Sequence, residues 1–274
     1  MKKIEKGILA VPGSTLYYEK RGSGPLLLLI HGGNGDADSF PIADDLSDRY
    51  TVVTYDRRGH RRSKLADENE VYQIRTHSED ASLLLAYLTD EPAYVLGCSS
   101  GAAIALDLAA HHADQMKVLI AFEPPLPTLL SGSERIQAAK TLYDLNKDFQ
   151  TDGISAMAEF ADKMGIKAVH KPERPINITE QKLKDIHYFI SHEVPALKDF
   201  VLDISKLKSA LTHSSMKIIA AAGEESKGYF PYRYTEALAE QLELRITEFP
   251  GNHVGLVVYP QEFAEKLDLI IRNS

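Results

Sequence analysis

A single cysteine, Cys98, rules out a disulfide within this chain. Long apolar runs are missing too. The longest strongly apolar run, Leu26 to Ile30, falls far short of the roughly 20 residues that cross a bilayer. The opening Met1-Lys2-Lys3-Ile4-Glu5-Lys6 is basic, but only Ile8-Leu9-Ala10-Val11 follows, too short for the apolar region of a secretory signal. A cytoplasmic protein with no membrane association is expected. An excess of positive charge is also absent. Lys and Arg number 31 against 39 Asp and Glu, for a net charge of −8, which argues against nucleic acid as a partner. The one basic cluster, Arg57-Arg58-Gly59-His60-Arg61-Arg62, reads as a solvated loop. No set of His, Cys, Asp and Glu has metal-ligand spacing, no glycine-rich phosphate loop occurs, and no repeat or low-complexity stretch is visible. No metal or organic cofactor is expected.

What remains is an ordinary globular composition, with 44% apolar and 26% charged residues over 274 positions. That length suits one large α/β domain, or one carrying an inserted subdomain. Leu9–Val11 and Tyr17-Tyr18 flank Pro12-Gly13-Ser14 as an opening hairpin. Short apolar runs bounded by turns follow at Leu26–Ile30, Thr51–Tyr55, Ala93–Leu96, Val118–Phe122, Lys217–Ala222 and Leu244–Phe249, and suit strands buried on both faces. Helical periodicity lies between them, at Ser78–Leu88, Ala102–Ala110, Tyr234–Leu242 and Gln261–Ile271. Strands alternating with helices predict a mostly parallel sheet covered on both faces.

The alternation breaks between Pro127 and Ser209, where several helices and no strand are predicted. Ser131 or Ser133 would cap the first, and Ile154–Met164 and Thr179–Ile190 read as two more. Their apolar residues Met157, Phe160, Met164, Ile186, Tyr188, Phe189 and Phe200 suit helix packing, or the underside of a lid over a substrate cavity. The expected division is a core of residues 1–126 and 210–274 with a helical cap at 127–209.

Gly97-Cys98-Ser99-Ser100-Gly101 matches Gly-x-Ser-x-Gly between a strand-like and a helix-like run. Small neighbours let such a turn form, and the turn aims the Ser99 hydroxyl out of the sheet at the positive end of a helix. Cys98, before the apex, reads as a small packing residue and not a nucleophile. In this respect the chain resembles the α/β-hydrolase superfamily. The resemblance covers nearly the whole length: His31-Gly32-Gly33, Asp56-Arg57-Arg58-Gly59, the turn at Ser99, Glu123-Pro124-Pro125 and Pro250-Gly251-Asn252-His253 come in the expected order. One departure is Arg61, where relatives often have glycine before Ser63; it is expected to reshape the loop without touching the chemistry.

The resemblance implies Ser99 as nucleophile and His253 as base, the neutral imidazole taking the serine proton and returning it to the leaving group. The oxyanion would be held by the amides of Ser100 and of Gly33, with Asn34 as the alternative to Gly33. His31 reads as a hydrogen-bonding element of that loop. Of the other histidines, His111 and His112 end a helix at the surface, and His170, His187, His192 and His213 read as exposed or packing residues. The triad acid is open. Many relatives place an aspartate three residues after the glycine that follows the post-lid strand, but here Ser226 stands there. Glu123, at the end of the preceding strand as in haloalkane dehalogenases, is favoured; Glu225 and Glu224 are the alternatives.

These residues imply hydrolysis of a small carboxylic ester or related acyl compound through an acyl-enzyme. The same skeleton serves C–C bond hydrolysis, lactone opening, perhydrolysis and lyase chemistry, and other members act as ligand receptors or have lost turnover. Oligomeric state is not legible.

Overall fold

Each short apolar run folds as a strand. The computed structural model describes residues 3–166 and 179–274. His170 lies outside the described residues. In chain order the elements are β1 (Ile4–Val11), β2 (Ser14–Arg21), β3 (Leu26–Ile30), α1 (Ala43–Leu46), β4 (Thr51–Tyr55), α2 (Ile74–Leu88), β5 (Ala93–Cys98), α3 (Ser100–His111) and β6 (Met116–Phe122). Then follow α4 (Gly132–Asp152), α5 (Ser155–Lys163), α6 (Glu180–Tyr188), a π-helical turn (Phe189–Glu193), α7 (Val194–Asp199) and α8 (Ile204–His213). The chain closes with β7 (Lys217–Gly223), α9 (Phe230–Leu242), β8 (Ile246–Phe249), α10 (Gly255–Val258) and α11 (Pro260–Arg272).

The strands form one eight-stranded sheet in the order β1-β2-β4-β3-β5-β6-β7-β8. Only the β1–β2 and β2–β4 pairings are antiparallel. The hairpin turns at Pro12-Gly13, where Val11 pairs with Ser14 and Gly13 has a φ of +75°. Alternation within the strands splits the core into two layers. Leu28, Ile30, Val53, Val95, Leu119 and Ala121 face α2, α3, α8 and α9. Leu27, Leu29, Val52, Leu96, Val118 and Ile120 face α1 and α11. In α3, Ala102, Ala103, Ala105 and Ala109 are fully buried, small enough for the helix to lie directly on the sheet. Leu142, Leu145, Ile186, Phe189, Ile190 and Val194, from the helices between β6 and β7, extend the first layer without a break. No described helix is long and apolar enough to cross a membrane.

Helix ends depart most from the sequence reading. Helix α2 starts at Ile74 and α9 at Phe230, each earlier than periodicity suggested. Ser131 occupies the N-cap of α4 but makes no side-chain cap bond. Thr179 does cap α6, accepting from the Lys182 amide at 3.2 Å. The Thr179–Ile190 helix ends in the π turn, whose added residue rotates α7 by about 100° relative to an uninterrupted helix.

The basic run is a correction. Arg57, Arg58 and His60 are buried, not solvated. Carboxylates from distant parts of the chain make this tolerable. Arg57 pairs with Glu193 at 2.9 Å, Arg58 with Asp80 at 2.6 Å, and Arg62 with Asp56 at 2.6 Å. Arg61 has a left-handed φ of +46°, a conformation that favours glycine, and pairs with Asp36 at 2.9 Å.

Candidate active site

Between β5 and α3 the chain turns on one residue, Ser99, with φ 53° and ψ −124°. L-residues seldom adopt this conformation, which persists only where the surroundings enforce it. They do so here: the Ser99 amide donates to the Phe122 carbonyl at 2.9 Å, and its carbonyl accepts from the Ala102 amide at 2.8 Å. A Cβ at Gly97 would sit 2.5 Å from the Gly101 carbonyl oxygen, and one at Gly101 would sit 2.2 Å from that of Ile30. Both positions are therefore closed to side chains.

Glu123 ends β6 in the same way, with φ +50°. Its amide donates to the Ala221 carbonyl at 3.0 Å, and its side chain has no solvent exposure. Oε1 accepts from the Gly223 amide at 2.8 Å. Oε2 lies 2.6 Å from His253 Nδ1, on the loop after β8, and His253 Nε2 lies 3.1 Å from Ser99 Oγ. A ring protonated on Nδ1 donates to Glu123 and leaves the Nε2 lone pair facing the serine hydroxyl. Three strand ends thus bring together the nucleophile, base and favoured acid read from the sequence. Glu224 and Glu225 are exposed, and neither bonds His253. Glu225 is 3.4 Å from the Tyr259 hydroxyl. Ser226 is fully buried, with no partner for its hydroxyl among the described residues.

The loop after β3 passes over the nucleophile. A Cβ at Gly32 would lie 2.9 Å from Ser99 Cβ, and one at Gly33 would lie 2.1 Å from the Phe189 ring. The Gly32 carbonyl oxygen accepts from Arg57 Nη2 at 3.1 Å, from His31 Nδ1 at 2.8 Å and from the Gly35 amide at 3.3 Å. The two ends of a trans peptide point opposite ways. Holding that carbonyl in the buried network therefore turns the Gly33 N–H the other way. The Ser100 amide, first in α3, has no partner within its helix. Asn34, the alternative donor, has φ +51°, and its carbonyl and side-chain oxygens each accept from Lys182 Nζ at 2.8 Å.

His31 is buried, and burial together with the Arg57 charge pushes its pKa well down. It is a neutral loop element. Burial likewise pushes the Cys98 thiol up, consistent with a packing role.

Ser99, His253 and Gly33 open onto a cavity of about 320 Å³, lined also by Phe40, Met157, Phe160, Phe189, Leu256, Val257 and Lys182. Met157, Phe160 and Phe189 come from the segment read as a lid. A larger surface groove of about 650 Å³ beside Asp45, Arg49, Asp268 and Arg272 contains no nucleophile–base pair.

Sequence reasoning missed two features, the Arg57–Glu193 network and Lys182. Arg57 Nη2 lies 3.0 and 2.9 Å from the two oxygens of Glu193, and Arg57 Nη1 donates to the Tyr72 hydroxyl at 2.7 Å. Burial raises the Glu193 carboxyl, but Arg57 and His60 outweigh it and bring its pKa down to about 2. His60 Nε2 is 2.9 Å from Glu193 without an aligned hydrogen bond. Burial, then Arg57, lowers the His60 pKa. A lone carboxylate among Phe189, Ile190, His192 and Val194 was the available signal for the network. Lys182 carries no such signal, since its place in the sequence is that of any helix-surface lysine.

The chain is similar to known proteins over most of its length. Residues 25–163 match the family model described as the alpha/beta hydrolase fold. The chain is 47% identical to an uncharacterized hydrolase, YraK, of Bacillus subtilis (strain 168), over 96% of this chain and 95% of that one. It is 28% identical, over 76% of its length and 77% of the relative's, to a 2-(acetamidomethylene)succinate hydrolase of Mesorhizobium japonicum. Among solved structures, an esterase from Exiguobacterium antarcticum superposes with a TM-score of 0.76 at 20% identity, covering 99% of this chain and 100% of that one.

Proposed function

Taking as premise that this chain belongs to the α/β-hydrolase family, we propose that it is a serine hydrolase of small carboxylic esters or related acyl compounds. The observation that carries this reading is the relay of contacts from Glu123 through His253 to Ser99, at 2.6 and 3.1 Å. In the reaction, His253 Nε2 takes the Ser99 proton as Oγ attacks the substrate carbonyl carbon. The amides of Gly33 and Ser100 receive the negative charge that develops on the carbonyl oxygen. His253 then passes the proton to the departing alcohol, leaving an acyl group on Ser99. Water, deprotonated by the same imidazole, releases the acid and restores the serine. Glu123 keeps the imidazole proton on Nδ1 and stabilises the cation formed midway.

Residues 127–209 are proposed as a cap over a core of 1–126 and 210–274. The apolar wall that Met157, Phe160 and Phe189 supply supports this division. Hydrolase names on the relatives support hydrolysis in general and no particular substrate.

The deciding experiment is active-site labelling. A fluorophosphonate probe is expected to add its mass to Ser99, and Ser99→Ala is expected to abolish both labelling and turnover of short-chain esters. Wild-type protein that refuses the probe would favour a member of the fold without catalysis. Labelling without turnover of any short-chain ester would favour a receptor or a different acyl chemistry.

A further inference from the structure

We infer that the acyl part of the substrate carries a carboxylate and that Lys182 receives it. This inference rests on the serine-hydrolase reading above and names the substrate class for that site.

Lys182 is the only Lys or Arg among the described residues lining the cavity, whose wall is otherwise largely apolar. Its ammonium donates to two neutral oxygens, the Asn34 carbonyl and Asn34 Oδ1, both at 2.8 Å. An ammonium has three donors, so these contacts aim the group without neutralising it. The neighbouring carboxylates are engaged elsewhere. Asp36 pairs with Arg61 at 2.9 Å and Asp185 with the same guanidinium at 3.8 Å, while Lys182 forms no ion pair with any described residue. Burial lowers its pKa, opposed only in part by the more distant Asp185 and Asp36. A partly buried cation with no counter-ion among the described residues is unfavourable unless a ligand supplies the anion.

The chemistry sets the direction. The departing alcohol must reach His253 Nε2, so it lies on the histidine side of the carbonyl. The carbonyl oxygen points to the Gly33 and Ser100 amides. The acyl chain is left to run along the loop from Gly33 past Asn34, to which Lys182 is tied. On a chain of net charge −8, a local cation is also what lets an anionic substrate approach.

The test compares monoethyl esters of butanedioic, pentanedioic and hexanedioic acids with ethyl butanoate, pentanoate and hexanoate, following proton release at constant pH. Wild-type protein should favour the acid ester in kcat/KM by about tenfold or more at one chain length, and rising salt should erode the preference. Lys182→Met and Lys182→Gln should bring that ratio to one or below, mainly through KM. If Lys182 only braces the Asn34 loop, both substrate series fall together and the ratio survives, which overturns the inference. A wild-type ratio at or below one at all three lengths also overturns it, with Ser99 labelling intact. Failure of Ser99 to label would instead remove the hydrolase reading, and this inference with it.

Discussion

The strand ends that carry Ser99 and Glu123 and the segment Tyr188–Glu193, whose Phe189 lines the cavity at Ser99, are held by different means. The strand ends are fixed by main chain. Both residues have positive φ, and each amide donates to the neighbouring strand, to Phe122 and to Ala221. The Tyr188–Glu193 segment is fixed by side chains from far along the chain: Glu193 against Arg57 and Tyr72, Asn146 against the Ile190 carbonyl, and Phe189 against Gly33. A catalytic geometry needs positions fixed to within fractions of an ångström, which a sheet supplies. A segment proposed to cover the site must exclude water yet admit substrate, and discrete side-chain ties can be made or altered one at a time. The two systems meet at Gly32. Its carbonyl is held by Arg57, the same guanidinium that anchors Glu193.

The comparison breaks first if the acid does not belong to the strand-end system. Glu123→Gln is expected to lower kcat by about 10⁴, the scale seen when a triad acid is made an amide elsewhere. Glu225→Gln, on an exposed side chain that lies 3.4 Å from the Tyr259 hydroxyl, should stay within about twofold, as for surface changes. The measurement is steady-state kinetics on a short-chain ester, with thermal unfolding to confirm that both variants fold. The reverse ranking would move the acid to the loop after β7.

The contact between Glu123 and His253 was foreseeable from the sequence for a physical reason. The strands, the turn at Ser99 and the loop at His253 depend on local pattern: apolar runs, glycines where a Cβ would collide, and order along the chain. The fold class follows from the same signals and agrees with the observed sheet. Glu123 was reachable because Ser226 removed the usual alternative. The proposed cover was legible only as helices. Nothing local marks Glu193 as the partner of Arg57, 136 residues away. The run Arg57 to Arg62 therefore looked like a solvated loop, since charge in sequence gives no sign of its counter-charge. Lys182 was hidden in the same way, because its role depends on where α6 lies relative to Asn34.

A sharper test separates the two systems by stability. Glu193→Gln leaves the Arg57 guanidinium buried without its counter-charge. Breaking one side of a buried pair is expected to destabilise by about 3–5 kcal/mol. Arg57→Met with Glu193→Leu, an apolar replacement of the pair, should recover much of that loss. Denaturant unfolding of the wild type, Arg57→Met, Glu193→Leu and the double variant gives the coupling. If Glu193→Gln loses less than about 1 kcal/mol, comparable to an exposed pair, the network does not fasten the cover. Because Arg57 also holds the Gly32 carbonyl, kcat should fall in the double variant even where stability returns.

The smallest expected effect is a pH dependence confined to the contact between the two systems. His31, His60 and His77 are buried, and burial first, then the Arg57 charge, lowers each of their pKa values below the ordinary 6.5. A group with a depressed folded pKa binds its proton more readily unfolded, so its stabilisation is complete above 6.5 and is lost as pH falls toward the folded value. Each imidazole can contribute a slope of up to about 1.4 kcal/mol per pH unit. Glu193 acts later, since its window runs from the ordinary 4.5 down to about 2. The melting temperature should therefore begin to fall below pH 6.5, well before any carboxylate window. His77 isolates the effect best. Its ring centroid lies 4.1 Å from that of Tyr72, and neither nitrogen has a hydrogen-bond partner among the described residues. His77→Phe keeps the ring contact and removes the proton site, so it should flatten the decline between pH 6.5 and 5 by about a third. A wild-type melting temperature that is level across that interval would mean that these imidazoles do not lie dry beneath the cover.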